Sequence, residues 1–166
     1  MAHTDVLVLY DKQLAHKMLF PKKMYKVHYR NNLSSILSFR DQGNIIIPIT
    51  VWTSNNLYSQ GNFITFSNVK IAIIYVSLDE EINTTQLTRF YQRASKFTKV
   101  VHVVAHSNSE AEPDTGERKK KLLEWCVSSN TLDKNGTSYT DLSTASEGIR
   151  QYILETLEML EKSESS

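Results

Sequence analysis

Glycine is scarce, with five in 166 residues, at positions 43, 61, 116, 136 and 148. None directly follows an apolar run of strand length. Neither GxGxxG nor GxxxxGK followed by Ser or Thr is present, so the glycine turns with which dinucleotide and P-loop domains cradle phosphate are excluded. Cysteine occurs once, at Cys126, which excludes an intramolecular disulfide and leads us to expect an intracellular chain. One cysteine and five scattered histidines offer no structural-zinc spacing, so neither metal nor cofactor is expected. No apolar run approaches the roughly 18 residues needed to span a bilayer. The first five residues lack the basic region of a signal peptide.

What is present is ordinary for a globular domain: 40% hydrophobic and 22% charged residues. We expect one domain over residues 1–162 and a disordered Ser/Glu tail at 163–166. Net charge is +1, but unevenly spread. Residues 1–40 hold seven basic side chains against Asp5 and Asp11, while residues 141–166 hold six acidic ones against Arg150 and Lys162. This pattern fits a basic face for phosphates, or simply two solvated faces that differ.

Hydrophobic spacing gives the elements. Val6–Tyr10 reads as a strand and Lys12–Phe20 as a helix ended by Pro21. Met24–Tyr29 alternates as a strand does. Asn31 or Asn32 is placed to cap a short helix carrying Leu33, Ile36, Leu37 and Phe39. Ile45–Trp52 is strand-like, and Pro48 directs it to an edge or a bulge. Its apolar side chains, with those of Leu57–Phe66, lack obvious internal partners and suggest an interface, and hence an unstable or oligomeric chain. Val69–Leu78 and Lys99–His106 read as central strands joined by a helix over 79–97, a right-handed parallel crossover. A helix over Glu117–Ser129, a short strand at Ser138–Thr140 and a closing helix capped by Ser143 or Thr144 complete the α/β pattern.

Few residues point to chemistry. Cys126 lies on the apolar side of its helix, and Val127, Ser128 and Ser129 supply neither a backbone cradle nor the arginine a phosphatase nucleophile needs. It reads as core. His102 and His106 point the same way from one strand, and His106 ends that strand where α/β sites gather. No third ligand accompanies them, which favours two structural histidines.

The element order over residues 24–161 resembles the nuclease-type fold of the XPF family, and more closely its non-catalytic partner subunits of excision-repair or meiotic type. The likeness is carried by Tyr29–Leu37, similar to a segment preceding a short helix in that family, and by Gly43–Pro48, the apolar strand Val69–Leu78, the helix Thr84–Phe97, the strand Lys99–Ala105, the helix Glu117–Val127 with cysteine near its end, and the helix Ser143–Glu161. Active members hold a divalent metal with acids around Glu-Arg-Lys-x-x-x-Asp. Here Glu117-Arg118-Lys119 spells the triplet, but Leu123 stands where Asp is needed, so converging carboxylates are missing. The tandem helix–hairpin–helix module common in the family does not follow.

The resemblance therefore implies a three-layer fold with a mostly parallel central sheet, XPF nuclease-like but without nuclease activity or a small-molecule substrate. It implies a nuclear subunit of a DNA repair or recombination complex, pairing with an XPF-like partner. Branched or single-stranded DNA would meet Lys22, Lys23, Lys26 and Arg30, with Arg118, Lys119, Lys120 and Lys121 as a second cluster. If 24–30 is a regular strand, Lys26, His28 and Arg30 share one face. Tyr25, Tyr29, Trp52 and Tyr58 would be available to stack on bases or to pack in the core. The alternative is an assembly protein without nucleic-acid contact.

Overall fold

A computed structural model describes residues 5–10, 20–30, 34–40, 46–54, 69–107, 113–129, 138–139 and 142–164. It is an α/β fold around one seven-stranded sheet. The strands are β1 (Val6–Tyr10), β2 (Tyr25–Arg30), β3 (Ser34–Arg40), β4 (Ile46–Ser54), β5 (Ile71–Ser77), β6 (Val101–His106) and β7 (Ser138–Tyr139). The helices are α1 (Thr84–Ser95), α2 (Pro113–Ser129) and α3 (Leu142–Glu164).

The strand order is β2-β3-β4-β1-β5-β6-β7. From β4 across to β7 every neighbour is parallel. β2 and β3 form an antiparallel wing on β4. β1 thus lies between β4 and β5. The chain leaves β1 for one side of the sheet and later resumes on the other, the arrangement of a doubly wound domain.

Alternation sorts the strand side chains into two layers. Leu7, Leu9, Ala72, Ile74, Val76, Val103 and Ala105 pack beneath α1 and α2, against Leu87, Phe90, Ala94, Leu122, Trp125 and Cys126. Val6, Val8, Leu37, Phe39, Val51, Ile71, Ile73 and Val104 pack beneath α3, against Ala145, Ile149 and Ile153. Helices therefore cover both faces, which is why β5 is buried along nearly its whole length. Cys126 is fully buried, as its helical position required.

Several expectations are corrected. The helix expected after Asn31 or Asn32 is β3, paired with β2 on one side and β4 on the other. Ile36 and Leu37 are adjacent, and each meets a different covered face. That doubly apolar spacing imitates a helix locally.

The segment expected to expose apolar residues is β4, an interior strand in which Val51 is fully buried. Its neighbours supply the internal partners that local sequence did not reveal. Leu57–Phe66 and, apart from Phe20, the helix expected over Lys12–Phe20 lie outside the described residues. Pro48 falls at a bulge: Ser38 pairs with Thr50 and Phe39 with Ile47, leaving Pro48 and Ile49 extra. A residue with no N–H is tolerated inside a sheet at such a point.

Helix limits also shift. α1 starts at Thr84 because Asn83 caps it, its side chain accepting the Gln86 N–H at 3.1 Å. α2 begins at Pro113, four residues ahead of the expected Glu117, since proline suits a first turn and Asp114 sits well at its positive end. α3 runs through Glu164, so the expected tail at 163 is still helical there. Among the described residues no helix is long and apolar enough to cross a membrane.

Candidate functional site at the carboxyl edge of the sheet

In doubly wound folds, ligands meet the carboxyl ends of the parallel strands near the point where the winding reverses. Here the described residues at that edge come from the exits of β5 and β6. β5 and β6 end side by side, Ser77 opposite His106, and one further bond follows as the Leu78 N–H donates to the His106 carbonyl at 2.8 Å. The polar side chains that follow then meet. The Ser107 hydroxyl donates to Asp79 Oδ1 at 3.2 Å. The Asp79 N–H donates to Ser77 Oγ at 3.3 Å. Arg118, from the second turn of α2, donates Nη1 to the Leu78 carbonyl at 3.1 Å.

Just behind this turn, the rings of Tyr75 and His106 lie side by side, centroids 6.3 Å apart and planes 19° apart. Burial pushes the Tyr75 phenol well above its ordinary range, and the nearby Asp79 charge pushes it the same way. Tyr75 is 1% exposed, and its hydroxyl has no hydrogen-bond partner among the described residues. The edge thus consists of a neutral phenol, a carboxylate held by Ser107, a backbone N–H held by Ser77, and a guanidinium turned onto a backbone carbonyl.

His102 and His106 do share one face, as their spacing required, and both are buried. His102 stacks on Tyr152 of α3, with centroids 4.1 Å apart. Among the described residues no group of three or more His, Cys, Asp or Glu side chains is placed to hold a metal. The Glu117-Arg118-Lys119 triplet lies within α2.

The basic residues expected to meet DNA fall in three places. Lys22 and Lys23 are exposed on a tight turn, where Met24 and Tyr25 both donate N–H groups to the Pro21 carbonyl at 3.0 Å. Lys26 is half-buried two residues into β2. Arg30 ends β2 and pairs in register with Ser35. The premise of one face for 26, 28 and 30 is corrected. Val27 pairs with Leu37 and Tyr29 with Ile36, so His28 is the extra residue of a bulge, which breaks the two-residue alternation. His28 instead meets Ser38, Nε2 to Oγ at 2.6 Å.

The second cluster divides as well. Arg118 serves the β5 exit. Lys120 and Lys121 are exposed and line a groove of about 530 Å³ that also holds Glu81, Asp114, Glu117 and Glu124. Lys119 is half-buried beside them. Acidic and basic groups therefore alternate along this groove.

Ser77, Asp79 and Ser107 were not singled out from sequence. Their signal was available: each is the polar residue at or just past the end of an apolar strand, where a parallel sheet presents its edge.

No family model and no curated protein matches the chain. Among solved structures, it is similar to the crystal structure of translation elongation factor SelB from Methanococcus maripaludis in complex with the GTP analogue GppNHp. The TM-score is 0.49 at 11% identity, over 95% of this chain and 35% of that one. The chain thus spans about a third of that protein's length, and nothing about binding is carried over from it.

Proposed function

We propose that the chain is a non-catalytic α/β subunit that works by joining a protein partner. The observation that carries this reading is the carboxyl edge of β5 and β6. The groups that would face a ligand there are engaged with one another: Ser107 with Asp79, Asp79 with Ser77, and Arg118 with the Leu78 carbonyl. The sequence adds that Asp11–Met18, directly after β1, contains no glycine with which to cradle phosphate. The test has two arms. Purified protein is assayed for magnesium- or manganese-dependent cleavage of DNA and for saturable binding of a fluorescent nucleotide, and it is co-purified from its native source. A stoichiometric protein partner with neither activity is expected. Metal-dependent cleavage abolished by Glu117→Ala, or saturable nucleotide binding, would overturn the reading.

A second reading makes the subunit nuclear and XPF-like, pairing with an XPF-like protein to hold branched or single-stranded DNA. Its support is the order β5–α1–β6, then α2 with Cys126 toward its end, then the closing helix α3. The hairpin of β2 and β3 departs from it, because the resembling segment leads into a short helix. The specific observation in favour of DNA is the exposed pair Lys22 and Lys23 one turn ahead of Lys26. The alternating charges around Lys120 and Lys121 favour the assembly reading without nucleic acid. A gel shift with branched and single-stranded DNA across a salt titration separates the two.

A further inference from the structure

We propose that α3 opens from the sheet as a unit, ahead of global unfolding. Packing chemistry alone supports this, independently of any partner.

The two faces of the sheet are sealed differently. Among the described residues of α1 and α2, the buried side chains are apolar except Thr115. The polar ties on that side are direct: Trp125 Nε1 donates to Thr88 Oγ1 at 3.1 Å, and Arg118 to the Leu78 carbonyl at the same distance. Beneath α3 the sheet contributes Tyr25, Tyr75, His102 and His106, and α3 itself buries Ser146 and Thr156. Tyr25 and Tyr75 are 0% and 1% exposed, and neither hydroxyl has a hydrogen-bond partner among the described residues.

The polar ties that hold α3 are soft. The Ser146 hydroxyl points at the Met24 sulfur from 3.7 Å, and thioether sulfur is a weak acceptor. Arg150 Nη1 lies 3.5 Å from the Met24 carbonyl, a long contact. The same guanidinium sits 5.3 Å above the Phe39 ring, and Tyr152 stacks on His102. The apolar side chains that fasten α3 are Ala145, Ile149 and Ile153, with Tyr152, Leu157 and Leu160 packed at their margin.

A buried hydroxyl without an acceptor loses the bond it made to water, and opening restores it. Each of the two tyrosines on the α3 face therefore favours the open form, by about fivefold in the opening equilibrium at the low end of the usual cost. Among the described residues the α1/α2 layer buries no hydroxyl left without a partner. Local opening of one element ahead of the whole is the expected behaviour of the layer with the poorest seal.

The test is native-state hydrogen exchange on the intact chain, followed at residues 145–153 so that fraying of the helix end does not count. The expected result is exchange of these amides well ahead of those of β5, β6 and α1. Tyr25→Phe and Tyr75→Phe, made singly, should each slow exchange in α3 at least about fivefold and leave α1 unchanged, since the ring and its packing are kept. Amides of α3 that exchange only together with β5 and β6 would overturn the proposal. So would phenylalanine variants in which protection of α3 is unaltered.

Discussion

Replacing Arg118 by alanine should act on stability, whereas replacing its two exposed neighbours, Lys120 and Lys121, should not. Arg118 is half-buried, and its Nη1 reaches the Leu78 carbonyl at 3.1 Å, so it ties the start of α2 to the exit of β5. A hydrogen bond from a charged donor contributes about 1.5–3 kcal/mol. Partial exposure discounts this to about 1–2 kcal/mol, since water replaces some of the lost bond. In a domain of this size, 1 kcal/mol moves the melting temperature by about 2–4 °C, so Arg118→Ala should melt roughly 3–6 °C lower. Lys120→Ala and Lys121→Ala should each stay within about 0.5 kcal/mol of the parent. Differential scanning calorimetry on the three variants reads this directly, and a gel shift at matched salt reads DNA binding. An Arg118→Ala variant that melts with the two lysine variants, or that loses DNA affinity at unchanged stability, would refute this structural role.

Three further outcomes follow from named groups. If DNA is bound through the turn before β2, a Lys22→Ala/Lys23→Ala/Lys26→Ala variant should fold normally and lower the salt slope of binding by about one unit for each phosphate no longer neutralised, with no change in sequence preference; an unchanged slope assigns no phosphate to these lysines. Burial raises the Tyr25 phenol above its unfolded value, with Arg150 partly opposing and Glu147 assisting, and burial together with Asp79 raises Tyr75. Stability is therefore independent of both phenols below about pH 10 and falls as pH rises beyond it, because the unfolded chain ionises them first, so the double phenylalanine variant should flatten the alkaline limb of a stability–pH curve; an identical limb would refute the linkage. Phe90 is 0% exposed between α1 and the sheet, so Phe90→Ala should cost about 3–5 kcal/mol in urea unfolding, and a loss under about 1 kcal/mol would mean that the layer closes over the space.

Local pattern revealed the central part of the fold because its signals are local. β5 is almost uninterruptedly apolar, and Leu87, Phe90 and Ala94 recur at helical spacing between it and β6. β3 was hidden because its partners are distant. Ile36 and Leu37 take opposite faces of a covered strand, and only pairing with β2 and β4 distinguishes that from a helix stripe. Pro48 announced its bulge through a missing N–H, whereas nothing in His28 announces the bulge in β2. The candidate site was half legible. His106 at the end of an apolar run pointed to the right edge, but Ser77, Asp79 and Ser107 meet only because β5 and β6 end side by side, Ser77 opposite His106. The use of Arg118 on a carbonyl 40 residues away has no sequence signature.

The two margins of the sheet bear on how copies of this chain behave when crowded. A strand left open at a margin is a template on which another chain can extend the sheet without limit. At one margin, β2 carries an extra residue at His28 and a lysine at position 26, so an incoming strand would lose register partway along and meet a charge. At the other, β7 offers only Ser138 and Tyr139. Among the described residues, both margins therefore resist fibre growth by strand addition.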